Sequence, residues 1–329
     1  VRPKGKRGGT ASMMGLLVFK EKLKRFYGKY DMYITPLVKF LVGATAFYLI
    51  NSNIGFMTKL KNPLIPLIMG LVASFVPYGM TAFLAGCMIL AHVSQVSLEV
   101  ALIILVLMLL VMMLYYGFRP GDGYLLLLTP MMFFLKIPYV VPLLVGLSGS
   151  LVSVIPVCCG VCIYYILMYL KQNAGLLAGS SMSEIAERFI QVVKNVFGNE
   201  LMWVMAAAFA AAILVVFIIK NMSLDYAWSI AIIAGVITQL VVIFIGDYNF
   251  NLPVTVGPMV LGILASVLLA LIYQFFVFAV DYTRTEYLQY EDDEYCYYVK
   301  AVPKIAVSAP DVKVHRIYSR KATKHERNN

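Results

Sequence analysis

Apolar residues run through this chain in long blocks, not in the short alternations or single stripes of a soluble fold. Pro36–Phe56, Leu98–Phe118, Leu201–Ile219, Ala227–Ile245 and Pro253–Val280 each approach or exceed the roughly 20 residues that carry a helix across a hydrocarbon core of about 30 Å. Pro63–Val93 and Pro138–Leu170 are harder to place, being too long for one straight crossing and short for two. Helix breakers interrupt both, Pro77-Tyr78-Gly79 in the first and Pro156 with Gly160 in the second. Between them Tyr124–Ile137 is a short apolar stretch, broken at Thr129-Pro130 and closed by Lys136-Ile137-Pro138. The pattern predicts an all-α polytopic membrane protein with broken or short helices. It has six, eight or ten crossings, according to whether the two long blocks are re-entrant, kinked or paired.

One spacing occurs three times: Pro66-x3-Gly70-x3-Ser74, Pro142-x3-Gly146-x3-Ser150 and Pro258-x3-Gly262-x3-Ser266. Proline at a helix start uses an N–H that has no partner anyway. Gly and Ser four apart share a face and let a neighbouring backbone come close, the small-xxx-small packing of membrane helices. The first two copies also match in the residues around them, which predicts a duplicated transmembrane region over 35–170. Corresponding broken helices in two halves can frame a substrate site, so Pro77, Gly79, Lys136, Pro156 and Gly160 are the candidate pathway and hinge residues.

The pattern changes after Leu170. Ser181 and Glu184 form a capping box, and Ile185, Phe189, Val192, Val193 and Val196 follow at helical spacing opposite charged residues. Residues 171–200 therefore predict an amphipathic helix on the external surface, and 201–281 a three-helix transmembrane region. Over 282–329, Thr285–Tyr290 and Tyr295–Val302 suit strands, and the acidic Glu291-Asp292-Asp293-Glu294 between them has hairpin length. Val312–Tyr318 would supply a third strand, with Ser319–Asn329 disordered. Tyr287, Tyr290, Tyr295 and Tyr297, with the four acidic residues, form a candidate partner-binding surface, because a lone hairpin is marginal in water and its open edge invites a partner.

Composition narrows the class. Of 329 residues, 61% are apolar and 13% charged, and the mean hydropathy is +0.82. No single core could hide that surface from water, which excludes a soluble domain, and the same numbers exclude disorder. Five cysteines are too few, and odd in number, for a disulfide scaffold. The net charge of +10 is polarised: nine basic residues lie in 1–30 and nine after Asp281. Lys and Arg flanking spans stay on the cytoplasmic side, so both ends are expected there, in the cell membrane, and the lone Arg119 leans the turn 119–123 the same way. The segment 1–34 reads as a basic lead-in with an amphipathic helix on the inner leaflet. Met13–Phe19 is too short for a cleavable signal peptide. Nucleic-acid binding is not expected, since the basic residues flank apolar spans.

Little reaction chemistry is encoded. Cys158, Cys159 and Cys162 lie together, but only Cys158 and Cys162 share a helix face and no histidine is near, so they read as small packing residues. His92 with Glu99 reads as interfacial. No P-loop, HExxH, GxSxG or dinucleotide motif is present. No enzyme activity, cofactor or metal is expected.

The run Tyr282-Thr-Arg-Thr-Glu-Tyr-Leu-Gln-Tyr-Glu-Asp-Asp-Glu-Tyr-Cys-Tyr-Tyr-Val-Lys-Ala-Val-Pro-Lys304 resembles the tail of uncharacterised bacterial multi-spanning membrane proteins loosely labelled ABC-transporter permeases. The resemblance implies a permease-like transport subunit working with a cytoplasmic partner such as an ATPase. It departs from proven permeases in lacking a coupling-helix motif, and it assigns no functional residue. The alternative is a non-transporting scaffold whose tail recruits a cytoplasmic assembly. A homo-oligomer is compatible with either.

Overall fold

Backbone amides surrounded by apolar side chains have no water to bond, so each apolar block closes its hydrogen bonds as helix. The computed structural model describes residues 7–177, 185–253, 255–278 and 286–303, without side-chain detail at 7–14, 176–177 and 185–189. Among them are α1 Arg7–Asn53, α2 Leu64–Phe75, α3 Tyr78–Ser94, α4 Leu98–Phe118, α5 Gly123–Phe134, α6 Val140–Ser148, α7 Val154–Leu177, α8 Ile185–Phe197, α9 Glu200–Lys220, α10 Ala227–Phe250 and α11 Val256–Val277. The helices α1, α4, α7, α9, α10 and α11 are long and apolar enough to cross a membrane. Their outward faces are apolar as well, with Met113 of α4 77% exposed and Leu261 of α11 69% exposed. That is the surface of a helix bathed in lipid rather than water.

The basic lead-in and the first span are two helical stretches that meet at a kink within α1. Non-helical Tyr30 (φ −116°, ψ 18°) marks the joint inside α1, and Pro36 just beyond it removes another backbone bond. Lys20 does not face a leaflet with its neighbours. It is buried, donating from Nζ to the Phe275 carbonyl at 2.6 Å near the end of α11. The last turn of that helix leaves carbonyls without intrahelical partners, and a cation there satisfies one of them.

The contacts define two ends of the bundle. One, the tail end, holds the Lys20–Phe275 contact, the α9–α10 connection and the hairpin. The other holds the loop after α1 and the start of α9. The pair α2–α3 is a V hung from that second end. His92 near the end of α3 accepts a hydrogen bond on Nδ1 from Met57 N–H at 3.2 Å, while the vertex carbonyl of Val76 accepts from Lys39 Nζ at 3.4 Å. The pair α5–α6 is an inverted V rising from the tail end. At its base Ser153 donates to Asp122 at 2.5 Å, and Lys220 Nζ donates to the carbonyls of Leu147 (3.0 Å) and Gly149 (3.4 Å). Each V returns to the end it left, and the six long helices alternate in direction around them. The turn 119–123 accordingly lies at the tail end, where Tyr115 Oη donates to the Pro120 carbonyl.

Two cores share α5 and α7. One joins α1, α2, α3, α4 and α8, with Phe47, Ile104 and Leu170 fully buried; the other joins α6, α9, α10 and α11 around Phe209 and Ile213, and a third, smaller core of those same four helices lies around Leu143 and Ile232. The helix α8 is strongly amphipathic, and its Val192 and Val196 are buried in the first core while Ile190 is exposed. It therefore packs on the bundle as well as lying across its end. The capping pair Ser181 and Glu184 lies outside the described residues.

The strands β1 Glu286–Glu291 and β2 Cys296–Ala301 pair antiparallel, with Glu291 opposite Cys296. The loop is thus Asp292–Tyr295, one residue further on than the acidic run suggests, and Glu291 belongs to a strand. Asp292 sets this register: its Oδ1 accepts from the N–H groups of Glu294 (2.9 Å) and Tyr295 (2.6 Å), and its Oδ2 from Tyr297 Oη (2.9 Å). The proposed third strand, 312–318, lies outside the described residues.

Candidate functional site

The vertex of the inverted V is built by a helix ending. Ile137 N–H bonds the Met132 carbonyl and Lys136 N–H bonds the Phe133 carbonyl, both at 3.0 Å. This nested pair is the Schellman motif, whose penultimate position takes a left-handed conformation and is usually glycine. Here it is Lys136, at φ +62°. A side chain in that region costs about 1–2 kcal/mol. Pro138 follows and prevents α5 from resuming in line. The lysine carbonyl packs against α11, where a Cβ on Gly262 would stand 3.0 Å from it. Gly262 lies about six residues, roughly 9 Å, along α11, so the vertex stops well short of the bundle end.

Above the vertex is a cavity of about 710 Å³, open at the end opposite the tail. Lys136, Pro138 and Tyr139 form its floor, and α7 supplies Tyr164, Tyr165 and Tyr169. Asn199, Glu200, Phe250, Thr255 and Pro258 surround the mouth. The rings interlock in the wall: Phe133, itself in the lining, stacks on Tyr164 with centroids 4.5 Å apart and on Phe209 at 5.6 Å. Lys136 is exposed to this space, and its Nζ has no hydrogen-bond or ion-pair partner among the described residues. Glu200 at the mouth sits in the first turn of α9, where the helix dipole favours a negative charge.

Of the residues singled out from the sequence as pathway or hinge, Lys136 alone lines this vestibule. Pro77 caps α3 and Gly79 lies in its first turn at the far end of the bundle, against Tyr115 and Gly123. Pro156 and Gly160 do not break α7, which is continuous from Val154. Pro156 falls in the first turn, where proline costs nothing, and a Cβ on Gly160 would come 2.6 Å from that of Thr129. The interruption lies earlier, at Gly149–Ser153.

The three Pro-Gly-Ser copies meet three different partners. Pro66, Gly70 and Ser74 are buried in α2, with Gly70 against Ala44 of α1. Pro142 and Gly146 are buried in α6, with Gly146 against Val216 of α9, but Ser150 lies beyond the helix and bonds Ser153 instead. Gly262 of α11 meets the vertex, Ser266 bonds the Gly262 carbonyl at 2.7 Å, and Pro258 is exposed at the cavity mouth.

Sequence reasoning missed the aromatic wall of Phe133, Tyr139, Tyr164 and Tyr165. Its signal was a tyrosine pair in the middle of an apolar span, close to a break. A second cavity, of about 50 Å³, lies in the first core between Ile50, Ala85, Met108 and Leu126. It is apolar throughout and too small for a solute beyond a water or two. Among the described residues no cluster of His, Cys, Asp or Glu is arranged to hold a metal ion.

In the tail, Tyr287, Tyr290, Tyr295 and Tyr297 are exposed, as are Asp293 and Glu294. Lys300 pairs with Asp225 of the α9–α10 connection at 2.7 Å, placing the hairpin against the bundle. Comparison with protein-family models, with curated proteins and with solved structures finds no match.

Proposed function

We propose that this chain is a membrane transport subunit whose solute path enters the vestibule and is closed by the vertex of the α5–α6 pair. The observation that carries this reading is Lys136, a cation without a partner among the described residues, at the floor of an open cavity and held in a backbone conformation that glycine would adopt at less cost. An ionisable group inside an apolar bundle is costly and marks function by default, and strain at such a position is retained where it serves a site. The inverted V has the form of a re-entrant pair: its base is fastened by Lys220 and Ser153, and its tip ends inside the bundle. With the basic segments at the cytoplasmic face, the vestibule opens outward and the hairpin lies inside, where a soluble partner such as an ATPase would dock. The α5–α6 vertex and α11 then form the barrier.

The second reading, a scaffold that displays the tail, is favoured by the hairpin, whose Tyr287 and Tyr298 are 77% and 80% exposed. One experiment separates the two. In a chain with its natural cysteines replaced, Tyr139→Cys is treated with a membrane-impermeant thiol reagent from either face. A transporter exposes this position to both faces in turn, so reaction from both is expected. Reaction from the outer face alone leaves a sealed vestibule and the scaffold, and no reaction from either face removes the vestibule itself.

A further inference from the structure

We infer that the vestibule binds a small organic anion, its acidic group on Lys136 and its apolar body against Tyr139, Tyr164 and Tyr165. The inference rests on the vestibule reading above and adds to it the chemical class of the ligand. The Lys136 amine faces the open space of the vestibule, and the described residues supply no counter-charge within ion-pair distance, so its charge is free to meet one that enters. Glu200 belongs to the mouth, where the first turn of α9 complements its charge, so the floor keeps its positive potential. Walls that exclude water concentrate that potential on whatever enters.

The rest of the lining selects an organic anion over an inorganic one. About 710 Å³ is the size of a site for a small organic molecule, whereas a lone phosphate would occupy a small part of it. Tyr139, Tyr164 and Tyr165 offer flat apolar faces together with hydroxyls, the mixture that holds an aromatic or aliphatic body and still tolerates a polar substituent. Phe133 completes this wall, stacked between Tyr164 and Phe209, which backs it. The fold also spends a left-handed residue on placing the lysine there, although glycine would close the same turn.

The test measures the reaction of Lys136 with a membrane-impermeant amine-acylating reagent, read by mass spectrometry on the full chain in phosphatidylcholine vesicles. Competing probes are benzoate, phenyl phosphate, benzamide and inorganic phosphate, with a parallel arm in vesicles containing phosphatidylglycerol. Labelling is expected, and benzoate or phenyl phosphate should slow it about tenfold at roughly ten times the half-protecting concentration. Benzamide should not slow it. Labelling that all four probes leave unchanged overturns the anion inference and leaves the open vestibule standing, whereas absence of labelling overturns both. Equal protection by inorganic phosphate and phenyl phosphate overturns the apolar half of the inference. Protection by phosphatidylglycerol alone overturns the soluble ligand in favour of a lipid headgroup. As an independent measurement, benzoate should raise the thermal midpoint of the wild type and of Lys136→Arg but not of Lys136→Gln. An equal rise in all three overturns the assignment to the lysine.

Discussion

Gly79 and Gly123 meet backbone to backbone: a Cβ on Gly123 would stand 2.8 Å from the Gly79 nitrogen and 2.9 Å from its Cα. The first residues of α3 and α5 are thereby locked together at the tail end, beside the Tyr115–Pro120 hydrogen bond. Neither V can tilt there without prising the two backbones apart. The freedom left to the α5–α6 pair is at its other extremity, around Lys136.

Gly123→Ala should therefore destabilise the folded bundle by about 1–3 kcal/mol, the usual cost of overpacking a close contact. Gly86→Ala is the control, because nothing lies within 4 Å of a Cβ there and alanine favours helix by up to about 1 kcal/mol. Unfolding in mixed micelles with rising denaturing detergent reads both. Equal stability of the two variants would show that the glycine contact is slack.

Lys220→Met should loosen the base of the inverted V. The lysine is the described cation on the free carbonyls of Leu147 and Gly149, and hydrogen bonds to a charged group contribute about 1.5–3 kcal/mol. Faster amide exchange in α6, with α10 unchanged, is the expected signature. Lys171→Met removes a comparable bond, to Asn53 Oδ1 at 2.9 Å. That contact is exposed, so its loss should have little effect.

The blocks that became α1, α4, α9, α10 and α11 were legible because a run of apolar residues near 20 long has few alternatives in structure. The break at Pro77 was legible for a local reason, the missing N–H. The second break was not, because Pro156 and Gly160 look like Pro77 and Gly79 in sequence. Their effect depends on position within a helix, and Pro156 happens to fall in a first turn. The buried Lys20 and the tyrosine wall lay further out of reach. Lys20 is satisfied by Phe275, over 250 residues away, and Tyr164 and Tyr165 line the cavity only because α7 packs beside the inverted V. Periodicity says which face of a helix is apolar, not which helix it meets. Lys136 could be picked out from its neighbours alone, since Ile137-Pro138 behind it forces the turn.

The hairpin should respond to acid through Asp292. Its two backbone hydrogen bonds, to Glu294 first and then Tyr295, and its bond from Tyr297 hold this carboxyl below the ordinary 3.8, while Tyr297 is pushed above its usual 10.0. A lowered folded value means that the contribution to the turn is fully present above about 3.8 and is lost as pH falls through the folded value. The Tyr295 amide resonance should thus hold its position from neutral pH down to about 4 and move only below. Asp292→Asn keeps a carbonyl for the two amides but has no titrating group, so the movement should vanish. An unaltered acid transition in that variant would assign it to Glu291, Asp293 or Glu294.

Lys136→Gly separates strain from function at the vertex. The position has φ +62°, where glycine carries no Cβ penalty, and the Schellman bonds from Lys136 and Ile137 use backbone atoms alone. Nothing in the turn needs the side chain. The variant should fold as well as the wild type or better, by up to about 1 kcal/mol, since the relief of a strained residue is offset by the greater freedom of glycine in the unfolded chain. If the lysine serves the solute, the same change should abolish the benzoate-induced rise in thermal midpoint and flux through the vesicle together. Lys136→Ala retains the strain and loses the charge, so it should be less stable than the glycine variant and equally inactive. Were Lys136→Gly instead less stable than Lys136→Ala, the position would hold no left-handed strain for glycine to relieve, and were both less stable than the wild type, the lysine side chain would be a structural element of the turn.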